Sequence, residues 1–135
     1  YSVWAGARSF LWGIWSVSPR EEANWYFARG IGLMRIQNWD GAVEQFEKSL
    51  EVDPSFAECL NQLAKALEKK GQTESAINEY LRALQIKPYH FDVLRSLASL
   101  YKEQGQIELA VFCLRRSREI FPYYLPDELA SIAKA

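Results

Sequence analysis

Histidine, methionine and cysteine are scarce in this chain: one His, one Met and two Cys among 135 residues. Cys59 and Cys113 lie far apart and form no C-x-x-C pair. With a single His90 beside them, they offer no metal-ligand set, and no metal site is expected. Both thiols fall in helical stretches, where a small buried hydrophobe is the expected role, and no disulfide is expected; this fits a reducing compartment. A nucleophile–base pair needs a histidine or similar base beside Ser or Cys. His90 instead follows Pro88-Tyr89 at a helix start, where it reads as a solvent-exposed capping residue. Glycine is also sparse, and Gly30 and Gly32 sit inside a helical pattern, so there is no phosphate-cradling loop. The formal net charge is only −1, without the basic excess of a nucleic-acid binder. Arg115, Arg116 and Arg118 cluster on one helix and read as a solvated outer face. The acidic residues alternate with Lys and Arg in the same way. These absences predict a chain that is not an enzyme, has no cofactor, and takes neither a small-molecule substrate nor nucleic acid.

What is present is a repeat. Pro54, Pro88 and Pro122 stand 34 residues apart, and other columns share that period. Twelve residues before each proline is Ala42, Ala76 or Ala110. Eight before it is a large apolar residue, Phe46, Tyr80 or Leu114. Five before it is a small one, Ser49, Ala83 or Ser117. Earlier in each unit come the small residues Gly30, Ala64 and Ala98. Large ones lie three positions later (Leu33, Leu67, Tyr101) and four earlier (Tyr26, Leu60, Leu94). Small residues let antiparallel helices approach and large ones fill the space beside them, so each unit predicts a helical hairpin. Proline, which has no N–H, suits the first turn of the helix that follows.

This pattern resembles the tetratricopeptide repeat (TPR) family across residues 23–124, with Tyr26 where Trp is usual and Arg29 where Leu is usual. The resemblance implies an all-α fold, a right-handed superhelix of three hairpins over 23–56, 57–90 and 91–124. Ser18-Pro19-Arg20-Glu21 predicts a capped start and a first helix over Pro19–Ile36, within a repeat region of residues 19–124. Asp40 is expected to cap a second helix ending near Val52, and Thr73 one running to about Ile86. The intervening first helix ends near Lys70, before Gly71. Gly105 ends the first helix of the third unit, and its second helix spans Ile107–Ile120. Residues 125–135, with Asp127 and Glu128 in a first turn, predict a C-terminal capping helix over the open end of the stack.

Residues 1–18 are different. Trp4, Phe10, Leu11, Trp12 and Trp15 crowd a segment whose only charge is Arg8. As a helix it would be about 27 Å long, almost a bilayer core, but an arginine near its middle is expensive in lipid. Tryptophan enrichment suits a membrane–water interface. Three expectations stand side by side: the end of a membrane anchor or an interfacial helix, a segment folded back on the repeats, or one docked on a partner protein. No small-residue cleavage site precedes the repeats, which disfavours a cleaved secretory signal.

In the TPR family the first helix of each repeat lines a concave groove, with lining residues near its second, fifth, ninth and twelfth positions. Carried over, these are Asn24, Phe27, Ile31 and Met34; Glu58, Asn61, Lys65 and Glu68; Asp92, Arg95, Ser99 and Lys102. Chaperone-binding members place Lys and Asn where this chain has Phe27 and Ile31, so that carboxylate clamp is not expected. Phe27, Ile31 and Met34 form one apolar stripe, to be covered by a partner helix, by residues 1–18, or by the curvature of the stack itself. The resemblance implies a non-catalytic scaffold or assembly factor that grips a protein partner, expected to belong to a membrane complex. The layout of a Trp-rich start before three repeats is similar to membrane-tethered assembly proteins of organelles and cyanobacteria, including photosystem assembly factors. The repeats would then lie in a reducing aqueous compartment beside a membrane, such as that of a plastid. The alternative is a permanent structural subunit of a large membrane-associated complex, with residues 1–18 buried against neighbouring chains.

Overall fold

A computed structural model describes residues 17–120. These form six helices: α1 (Pro19–Arg35), α2 (Trp39–Val52), α3 (Ala57–Lys69), α4 (Thr73–Ile86), α5 (Phe91–Glu103) and α6 (Ile107–Ile120). Among the described residues there is no strand. Consecutive helices pair as antiparallel hairpins, α1 with α2, α3 with α4 and α5 with α6. Each hairpin packs on the next through α2–α3 and α4–α5. The hairpins stack in chain order into one superhelical array. No described helix is long and apolar enough to cross a membrane. The expected C-terminal capping helix, Pro122, and the tryptophan-rich segment with Trp4, Phe10, Leu11, Trp12 and Trp15 lie outside the described residues.

Local sequence explains the start of α1 and the ends of the three first helices. Ser18 Oγ accepts from the Glu21 N–H at 3.2 Å, and Glu21 Oε2 accepts from the Ser18 N–H at 2.9 Å, closing the expected capping box. All three first helices end alike. The N–H groups of Gln37 and Asn38 donate to the carbonyls of Met34 and Leu33. Gly71 and Gln72 do the same to Glu68 and Leu67, and Gly105 and Gln106 to Lys102 and Tyr101. This paired closure puts its first residue at positive φ: 78° at Gly71, 77° at Gly105, and 61° at Gln37, which has a Cβ to accommodate.

Three expectations about helix starts are corrected. Pro54 and Pro88 are not in the first turn of a helix; α3 begins at Ala57 and α5 at Phe91. Each proline is the second residue of a tight turn, closed by Phe56 N–H to Asp53 O at 3.3 Å and His90 N–H to Lys87 O at 3.1 Å. The fixed φ of proline is preorganised for that position. The N-cap of α2 is Asn38, whose Oδ1 accepts from the Gly41 N–H at 3.0 Å. Asp40 falls in the first helical turn and pairs with Lys70 Nζ at 2.8 Å. Thr73 is likewise the first helical residue of α4; Gln72 precedes it without a side-chain cap. Glu74 and Gln104, in the same columns as Asp40 and Lys70, join at 2.8 Å. The same interhelical tie therefore recurs at both junctions.

The core follows the repeat columns. Ala42, Ala76 and Ala110 are fully buried, as are Phe46 and Tyr80, with Leu114 nearly so. Ser49 Oγ reaches across its hairpin to donate to Ala23 O at 2.8 Å, while Ser117 Oγ donates to Leu114 O at 2.7 Å. These hydroxyls are therefore buried with a partner. A Cβ at position 30 would come within 2.4 Å of the Phe46 ring, so only glycine lets α1 approach that ring so closely.

Candidate protein-binding groove

The first helices α1, α3 and α5 lie side by side, and the expected lining residues can be placed on them. At the N-terminal end Asn24 is exposed, while Phe27, Ile31 and Met34 are half-buried and packed on the core. Phe27 stacks on Phe46 with ring centroids 5.9 Å apart, and on Phe56 at 4.9 Å. The stripe thus leans on its own chain with its outer edge open. Neither Phe27 nor Ile31 carries a donor for a carboxylate.

In the middle, the lining residues bond to one another. Asp92 Oδ2 accepts from Asn61 Nδ2 at 2.8 Å and from Lys65 Nζ at 2.6 Å. Burial alone would raise the Asp92 carboxyl; the bonds from Lys65 and Asn61 outweigh it and hold the group below its ordinary value. One turn away His90 Nε2 lies 3.0 Å from Glu58 Oε2, while His90 Nδ1 accepts from the Val93 N–H at 3.3 Å. His90 does cap α5, but its side chain is only 14% exposed, so the expectation of a solvent-exposed cap is corrected. The reason is the Glu58 partner, which the sequence places 32 residues away. Asn61 is wholly buried, and its Oδ1 has no partner among the described residues.

Glu68 turns from the groove into its own hairpin and accepts from the Tyr80 hydroxyl. Burial raises the Glu68 carboxyl, against the lowering effect of that bond, and burial also raises the Tyr80 phenol. At the C-terminal end Arg95, Ser99 and Lys102 are exposed, with the Arg95 guanidinium 5.7 Å from the Phe91 ring centroid. The candidate lining residues are therefore apolar on α1, bonded to one another between α3 and α5, and polar and cationic toward the end of α5. The tie to His90 and the turn of Glu68 were missed in the sequence. The columns fix which helix a residue occupies, not which neighbour its side chain selects.

Among the described residues no group of three or more His, Cys, Asp or Glu could hold a metal ion. Both thiols are buried, and burial pushes Cys59 up to about 12 and Cys113 up to about 11. Cys59 Sγ lies 3.4 Å from the Phe46 carbonyl oxygen. Burial thus disfavours the thiolate, which is the nucleophilic form.

Four family models match the chain. Two described as tetratricopeptide repeat cover residues 23–56 and 45–78, one described as TPR repeat covers 69–105, and a further tetratricopeptide repeat model covers 94–124. No curated protein sequence matches the chain. Solved structures do. The first TPR of Spaghetti (RPAP3), bound to the HSP90 peptide SRMEEVD, superposes with a TM-score of 0.79 at 16% identity, covering 85% of this chain and 93% of that one. The Arabidopsis OM64 TPR domain gives 0.78 at 13% identity, covering 87% and 98%. MamA gives 0.71 at 20% identity over 76% of this chain, which spans 59% of the length of MamA. At these identities the likeness is one of fold.

Proposed function

We propose, from the premise that this chain belongs to the tetratricopeptide repeat family, that it binds a segment of a partner protein along the side lined by α1, α3 and α5. Members of the family are in general non-catalytic protein–protein interaction modules, and this chain is read as one. The observation that carries the groove reading is the floor. Asn61, Lys65 and Asp92, with Glu58 and His90, tie α3 to α5 through the chain's own side chains. Ordering these groups before a partner arrives lowers the entropic cost of binding. What remains to be satisfied is the apolar edge of Phe27, Ile31 and Met34 at one end and the polar surface of Ser99 and Lys102 at the other. The complementary segment carries apolar side chains toward α1 and acceptors or carboxylates toward α5.

The tryptophans of residues 1–18 support the setting: an assembly or scaffold factor beside a membrane protein complex, with that segment meeting the membrane interface or the complex. The HSP90 tail bound by Spaghetti is not the ligand inferred for this chain, because Phe27 and Ile31 are apolar. The test is site-directed photocrosslinking in native membranes, with a benzophenone side chain at Asn24, at Ser99 or at the outer residue Glu44. Adducts to one protein from Asn24 and Ser99, and none from Glu44, are expected; adducts from Glu44 alone would overturn the groove reading. Flotation with membranes that depends on residues 1–18 is the expected companion result, and flotation unchanged by their removal would contradict the membrane setting.

A further inference from the structure

The repeats act as internal controls for one another, and laid in register they single out the outer side of α6. Phe112 occupies the column of Glu44 and Asn78, Leu109 that of Gly41 and Ser75, and Tyr89 that of Ser55. At Phe112 and Leu109, polar or small residues in two repeats become large apolar ones in the third; Tyr89 replaces only Ser55, and Tyr123 shares its column. Phe112 is 59% exposed, Tyr89 54% and Leu109 44%. Exposed apolar side chains gathered in one place mark a contact surface more often than isolated ones do.

Charge changes in the same register. Lys48, Arg82 and Arg116 share a column. Lys48 pairs with Glu44 at 3.3 Å and Arg82 with Glu79 at 2.7 Å. In the third repeat those two partner positions are Phe112 and the buried Cys113. Arg116 instead lies over two rings, 5.1 Å from the Tyr89 centroid and 5.4 Å from that of Phe112. Arg115 and Arg118, both exposed, stand on the same helix. Among the described residues none of the three arginines pairs with a carboxylate. A guanidinium stacked on aromatic faces keeps its edge donors directed outward, in the fork that suits a carboxylate.

We propose that the outer face of α6, with Tyr89 from the preceding turn, is a second docking surface, and that its occupant is an acidic segment of a partner protein carrying a leucine or an aromatic residue beside its carboxylates. Apolar contact goes to Phe112, Leu109 and Tyr89, and the carboxylates go to Arg116 and its neighbours. A second copy of the chain is a poor occupant, because a two-fold contact here would set arginines against arginines. The surface lies on a second helix, so its loss leaves the groove residues in place.

The test uses the full chain and a labelled synthetic peptide that places Glu, Leu and Trp on one helical face, with a counterpart in which every Glu is Lys. Fluorescence anisotropy is expected to show saturable binding of the acidic peptide only. Binding should weaken about tenfold or more in Phe112→Ser and in Arg116→Glu, and be unchanged in Lys48→Glu, the same column on the outer side of the first repeat. The Arg116→Glu chain should gain affinity for the Lys peptide, a rescue that separates charge recognition from misfolding. Equal binding of both peptides, or loss in Lys48→Glu but not in Arg116→Glu, would overturn the proposal. So would dimerisation by light scattering that Phe112→Ser abolishes, or binding to phosphatidylglycerol vesicles that Arg116→Glu abolishes while the acidic peptide never binds.

Discussion

The two junctions between repeats use the same columns for opposite chemistry. Between the first and second repeats, Phe27 stacks on Phe56 and Phe46. Between the second and third, the column of Phe27 holds Asn61 and that of Phe56 holds His90. There the contact is a network in which Asn61 and Lys65 serve Asp92, and Glu58 meets His90. One geometry therefore accepts an apolar seam or a polar one, because the small-residue columns behind it already set the helix spacing. The difference should appear as two kinds of stability, one set by packing and insensitive to pH, the other set by charge.

The largest expected effect lies at the apolar junction. Phe46 is fully buried beneath Gly30 and Phe27, and Phe46→Ala is expected to cost about 3–5 kcal/mol by chemical denaturation. A loss below about 1 kcal/mol would show that the seam does not hold the first hairpin. Next comes glycine. Gly30→Ala drives a Cβ into the Phe46 ring and should destabilise by about 1–3 kcal/mol. Gly32→Ala, with nothing within 4 Å of the added Cβ, should stabilise by about 0.5–1 kcal/mol. Equal effects at the two positions would remove the close-approach argument.

Smaller effects belong to the turns. Gln37 holds φ 61° where the other repeats place glycine, so Gln37→Gly is expected to stabilise by about 1 kcal/mol and Gly71→Ala to destabilise by a similar amount. The smallest effect is the pH signature of the polar junction. The Asp92 carboxyl is lowered in the folded chain, so its contribution is present above the unfolded value of 3.8 and is lost as pH falls through the folded value. Its side chain is 47% exposed, so after solvent screening the effect is about 1 kcal/mol or less. Asp92→Asn should flatten the acid limb of the stability curve, whereas Phe27→Leu should leave its shape alone. An unchanged acid limb in Asp92→Asn would mean the network carries no charge-dependent stability.

The hairpins were legible because the columns that set helix spacing repeat: Ala42, Ala76 and Ala110 could hardly be buried otherwise. The capping box at Ser18 was legible because all its parts are local. What escaped the sequence is nonlocal or a matter of one residue's offset. Asn38 and Asp40 both suit an N-cap, and only the closing turn at Gln37 selects Asn38. Pro54 has the φ of a helix start and equally that of a tight turn; the Asp53–Phe56 hydrogen bond decides. Of the candidate groove, the helix assignment of each residue could be read directly. That Asn61 and Lys65 would share Asp92 could not, since pairing across 31 and 27 residues depends on how one hairpin is set against the next.

If the side lined by the first helices grips a protein partner, charge reversal on that side must release it. The most direct measurement is quantitative co-purification from native membranes with Ser99→Glu and Lys102→Glu combined, at exposed positions that leave the core intact, against a wild-type control of matched thermal stability. The photocrosslinked partner is expected to fall to background in the groove variant while melting is unchanged. Undiminished recovery of that partner from the folded variant would contradict groove binding.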